Sequence, residues 1–144
     1  MKKKTVKLED NILWQEAFKV AEHVYDKLPE LPSEEEFNTT SKLRGAANDL
    51  LFMVSQALGA EKSGAALYDW ANVRRHLFSL KTMYRFAARQ KFITVEPDIM
   101  LSLDKLIDEA ELEEAGAIKQ LKESHEEEMK PWLEKYRLWK EMEK

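Results

Sequence analysis

The sequence predicts an all-α protein, an up-down-up-down antiparallel four-helix bundle with a short C-terminal helix. Three observations predict it. Ala66, Trp70, Val73, Leu77, Leu80, Tyr84 and Ala87 recur in alternating steps of four and three, a heptad seam held over three heptads. Only 4 Gly and 4 Pro interrupt 144 residues, 35% of them charged, which suits long helices with few turns. The breaks between helical stretches are short, so consecutive helices are expected to be antiparallel neighbours, and no stretch shows the alternation of a half-buried strand.

The first helix is expected from about Glu9 to Leu28. Its inward stripe is Leu13, Ala17, Val20, Ala21, Val24 and Leu28, with Trp14, Phe18 and Tyr25 as a second stripe beside it. Pro29 and Pro32 end it. Ser33 followed by Glu36 reads as a capping box that opens a second helix from Glu34 to about Leu58, with Gly59 as a left-handed C-terminal cap and AEKSG as the connection. The third helix, about Ala65 to Lys91, carries the heptad seam. Thr94 and Pro97 open the fourth, whose inward positions are Ile99, Leu103, Leu106, Ala110, Ala117 and Leu121, with Gly116 a point of local loosening. Pro131 is expected to start a separate amphipathic tail, 131–144, with Trp132, Tyr136 and Trp139 on one face. One domain, 1–144, follows, with the bundle over about 9–125; a chain of this length buries about two-thirds of its unfolded surface.

Inside the second helix, LLFMV (50–54) is apolar at five consecutive positions, which on a helix point almost all the way round the cylinder. A monomeric bundle has no use for the outward half. Together with Trp14, Phe18, Tyr25, Leu51, Phe52, Phe78 and Phe86, the run exceeds what one four-helix core hides, so these residues are expected to mark an interaction surface. Trp14, Phe18, Tyr25, Leu51 and Phe52 are the expected oligomer interface.

There is no cysteine, which excludes disulfides and thiolate metal sites. MKKKTVKLED has basic residues but no apolar core after them, so it does not read as a signal peptide, and no apolar run approaches the ~20 residues of a membrane span. A cytoplasmic protein with no membrane partner is expected. The net charge of −4 is uneven. Residues 1–60 carry −2, residues 61–92 carry +5, and residues 93–144 carry −7.

No catalytic or metal-binding pattern emerges. His23, His76 and His125 lack the carboxylate spacings of HExxH or paired ExxH sites, and the glutamates at 34–36, 111–114 and 126–128 read as solvated faces. Ser41, Ser55, Ser63 and Ser79 have no nucleophile elbow, and the four glycines form no phosphate loop. No cofactor, metal or catalytic residue is expected, and the protein is not expected to be an enzyme. The chemistry that remains is cationic. Arg74, Lys81, Arg85 and Arg89 keep near one face of the third helix, Arg75 and Lys91 broaden it, and Lys42 and Arg44 join from the second. Such a face binds phosphate backbones through counterion release. The competing reading pairs these cations with the acidic fourth helix or tail, leaving a protein–protein interaction scaffold with no nucleic-acid role.

LWQEAFKVAEHVYDKLPELPSEEEF resembles the first helix and capped second-helix start of the four-helix-bundle family of the 23S ribosomal RNA intervening-sequence proteins, to which Avd, the accessory protein of diversity-generating retroelements, belongs. KLRGAANDLLFMVSQALG and LYDWANVRRHLFSLKTMYRFAARQKFIT are similar to its second and third helices, and the likeness covers about residues 8–112. The resemblance implies a homopentameric ring of bundles without catalysis and, in the Avd branch, binding of RNA or DNA and of a reverse transcriptase. A closed ring needs two different patches that meet, and the first helix's aromatic stripe and LLFMV are the expected halves.

Overall fold

The computed structural model describes residues 7–60, 64–94 and 96–143. The segment MKKKTV and the middle of the AEKSG connection lie outside the described residues, as do the side chains of His125, Glu127 and Glu128. The protein is all-helical, and no strand occurs among the described residues. Helix α1 is Ile12–Lys27, α2 is Ser41–Gly59, α3 is Gly64–Arg89 and α4 is Pro97–Met142. Each packs on the next and α1 also packs on α4, which closes a four-helix bundle. Arg74 of α3 meets Glu114 of α4 while Lys81 meets Asp104, so these two helices run antiparallel.

The expected inward stripes of α1 and α3 are the core, and that of α4 is core as far as Ala110, whereas Ala117 and Leu121 lie only half-buried. In α1, Leu13, Ala17, Val20, Ala21 and Val24 are buried, and Leu28 is buried just beyond the helix. The heptad seam of α3 is buried from Ala66 to Ala87, with Leu77, Leu80, Tyr84 and Ala87 fully so. Ile99, Leu103, Leu106 and Ala110 supply the fourth side, and no residue after Ala110 is buried among those described. The core is one continuous cluster, so its stability follows from apolar area removed from water.

Four local expectations are corrected. Asn11, whose side chain accepts from the Trp14 amide, caps α1, so the helix starts after Glu9. No capping box forms at Ser33, where the chain makes a 3-10 turn and then a π turn, Glu36–Thr40, before α2 begins at Ser41. Glu35 is the acceptor there, taking the Thr39 amide at 3.3 Å and the Thr39 hydroxyl at 2.7 Å. Those bonds hold its carboxyl below the ordinary range. Gly59 remains helical, and extended Ala60 ends α2. The separate tail does not exist: α4 continues through Pro131 for 46 residues, about 69 Å, because a solvated helix tolerates one lost amide bond.

The left-handed position falls instead at Lys91, with φ 64°. Its amide donates to Ala88 O and the next amide, from Phe92, donates to Ala87 O, the paired bonds of a Schellman turn. Partly buried Phe92 packs against the core and anchors this turn. A side chain at φ > 0 is strained, by roughly 1–2 kcal/mol. Lys91→Gly is therefore expected to raise folding stability by about 1 kcal/mol, read as a higher urea midpoint.

Candidate interaction surfaces

The eight candidate cations do not form one face. Arg74 Nε donates to Glu114 Oε2 at 2.7 Å, and Lys81 pairs with Asp104, so α4 takes up both. Arg75 folds back on its own helix, to Ala71 O and to Asn72 Oδ1 at 3.0 Å. Lys42 and Arg44 are two residues apart, so they point about 200° apart on α2. Lys42 shares a flank with Ala46, whose carbonyl accepts from His76 Nε2 of α3 at 2.7 Å. Arg44 shares the other with Asn48, which donates to the Tyr25 hydroxyl of α1 at 2.6 Å. What the fold does bring together is Arg85 and Arg89, which with Ala88 and Met100 line a notch of about 300 Å³ between α3 and α4. Lys91 follows in the turn. Among the described residues, no carboxylate lies within ion-pair distance of Arg85, Arg89 or Lys91.

The apolar surface divides as its helical phase dictates. Within LLFMV, Leu50 and Val54 are buried, Leu51 and Met53 lie half-buried against the core, and Phe52 is 68% exposed. The second stripe of α1 flanks the α1–α2 seam: Trp14 stacks on Phe18 with ring centroids 4.9 Å apart, while Phe18 and Tyr25 are partly exposed. Phe78 and Phe86 are exposed on α3. Trp132, Tyr136 and Trp139 are exposed on the distal part of α4, with Tyr136 and Trp139 6.1 Å apart. Phe37, in the π turn before α2, is 93% exposed and stands outside every stripe. Its isolation between EEE and NTT hid it in the sequence, because apolar periodicity detects only residues that share a face.

A polar cluster closes the bundle end where the α1–α2 and α3–α4 connections meet. Lys27 Nζ lies 3.2 Å from Glu30 and 3.2 Å from Glu96, and it donates to Thr94 Oγ1 at 3.1 Å. Burial opposes its charge, but the hydrogen bonds to Glu96 and Glu30 prevail and raise its pKa. Behind it, His23 Nε2 shares a 2.8 Å hydrogen bond with the hydroxyl of fully buried Tyr84, and its Nδ1 faces Glu96 at 3.7 Å. Burial lowers the His23 pKa and raises that of Tyr84. An unfolded histidine binds its proton near pH 6.5, above the folded value, so protons favour the unfolded chain. Stability is expected to be full above about pH 6.5 and to fall as the pH drops through that value. His23→Asn is expected to flatten this dependence in urea midpoints taken from pH 8 to 5. No periodic pattern announces this cluster, since its members come from α1, the α1–α2 connection, α3 and the α3–α4 connection.

A cleft of about 470 Å³ at the opposite end runs between α2, α3 and α4, lined by Ala57, Ala66, Trp70, Gly116 and Ala117 with Glu113, Lys119 and Glu123. Among the described residues no group of three or more histidines or carboxylates could hold a metal ion. No helix of the described residues is long and apolar enough to cross a membrane. Compared with protein-family models, curated proteins and solved structures, the chain matches none.

Proposed function

We propose that the protein is a non-enzymatic interaction scaffold that assembles from copies of itself. The observation that carries this reading is Phe52, 68% exposed between buried Leu50 and Val54, on the same helix pair as partly exposed Phe18 and Tyr25. Rings left in water beside a complete core lower the free energy of any contact that covers them, by about 25 cal/mol per Å². The pairing of Arg74 and Lys81 with α4 favours a scaffold over a phosphate-binding face, because a cation already neutralised releases no counterion. A ring of five subunits and a reverse-transcriptase partner are proposed on the resemblance of residues 8–112 alone, as is a cytoplasmic setting on composition.

The native mass of the full chain tests the reading. An oligomer is expected, and Phe18→Ser with Phe52→Ser is expected to shift it toward single subunits while helicity is kept. A monomeric parent chain would sink it. A second reading, nucleic-acid binding, is favoured by Arg85 and Arg89, which line one notch, and by Lys91 in the turn after them, none with a carboxylate partner among the described residues. Its signature is affinity for a mixed RNA that falls steeply with salt and is lost in Arg85→Ala with Arg89→Ala.

A further inference from the structure

The notch between α3 and α4 and the ring of Phe37 are complementary in size, polarity and charge. The notch has an apolar floor, Ala88 and Met100, and a cationic edge, Arg85 and Arg89, within about 300 Å³. An apolar cavity of ~150 Å³ is enough to take up benzene, so a phenyl ring fits this space with room for its backbone to approach. Phe37 is an apolar knob with an acidic collar: Glu34 and Glu36 beside it are exposed, whereas Glu35 is engaged with Thr39. At 93% exposure Phe37 does not fill the notch of its own subunit.

We propose that Phe37 of one subunit seats in the Arg85–Ala88–Arg89–Met100 notch of the next copy, with Glu34 and Glu36 facing Arg85 and Arg89. The inference rests on the self-assembly reading and names its anchoring contact. Made reciprocally, the contact closes a two-fold dimer; made one way, it repeats into a closed ring or an open chain according to the rotation between neighbours. A buried phenyl ring removes roughly 150–250 Å² from water. The contact is therefore an anchor that fixes register, while the larger aromatic face of α1 and α2 supplies area. Opposed charges around the ring select this pairing over like-to-like contacts, which would set carboxylates against carboxylates.

The full chain has no cysteine, so cross-linking reads the contact directly. Asn38→Cys, which keeps the neighbouring Phe37 ring, and Arg89→Cys on the notch edge, both at exposed positions, are made as separate chains. On mild oxidation the mixture is expected to form a dimer containing one copy of each, with far less from either chain alone. Phe37→Ser is expected to raise the concentration for half-assembly at least tenfold, as is Arg85→Glu with Arg89→Glu. Adding Glu34→Arg and Glu36→Arg to the latter is expected to restore assembly. A parent chain that is monomeric at all concentrations defeats the self-assembly reading and this contact together. A full-size oligomer without the mixed cross-link defeats the contact alone. Arg85→Glu with Arg89→Glu leaving the mass intact while abolishing low-salt binding to a mixed RNA assigns the notch to phosphate and overturns it.

Discussion

Leu50→Ala loses about 2–5 kcal/mol of folding stability, while Phe52→Ala, two residues along the same apolar run, changes it by less than about 0.5 kcal/mol. Leu50 is fully enclosed in the core cluster, so its truncation removes transfer free energy and leaves a cavity that closely packed helices fill only in part. Phe52 projects from the opposite side of α2 and its ring is mostly in water. Urea midpoints of the two variants, taken at concentrations where subunits are dispersed, make the comparison. The pair of substitutions separates the two halves of LLFMV, one that folds the chain and one that faces outward. Equal losses at the two positions would place the whole run inside a single subunit.

Pro131→Ala firms the distal half of α4, by about 3 kcal/mol in favour of helix across the turn that holds the proline. Proline has no amide hydrogen to give the carbonyl four residues back, and its ring crowds that carbonyl. Pro131 is nonetheless inside α4, and every described residue from Pro131 to Glu143 is exposed. Without packing, this stretch depends on intrinsic propensity and on neighbours three and four residues apart, such as Lys135 over the Trp132 ring and Lys140 over Tyr136. The gain is expected in far-UV circular dichroism and in slower amide exchange over residues 127–135, with the urea midpoint of the buried core unchanged. No change in helicity would mean that the proline is already accommodated without loss.

Pro131 also shows where reading the chain stops being reliable. Apolar periodicity located the α1 and α3 core stripes residue by residue, because a strict four-three repeat admits one buried face. Termini were less legible. Ser33, Gly59 and Pro131 each carry a local signal that was outweighed: by Glu35 bonding to Thr39, by the extended backbone of Ala60, and by continuation of a solvated helix. The basic face was legible only as charge along α3, since the partners that occupy Arg74 and Lys81 come from 40 and 23 residues further along the chain. Phe37 and the His23–Tyr84 pair left no signal at all, one being a lone exposed ring and the other a bond across 61 residues.

The order of the helices around the bundle has a consequence for how fast it forms. Three seams join helices consecutive in the chain, and such local contacts close small loops at little entropic cost, as in helical bundles that fold in roughly microseconds to milliseconds. The seam of α1 on α4 is different, since Lys27 must find Glu96, the residue that precedes α4, 69 residues along the chain. Hairpin formation should therefore precede the search that brings the first helix home. Substitutions at His23 or Lys27 would then act mainly by hastening escape from the native state, and would scarcely delay its formation.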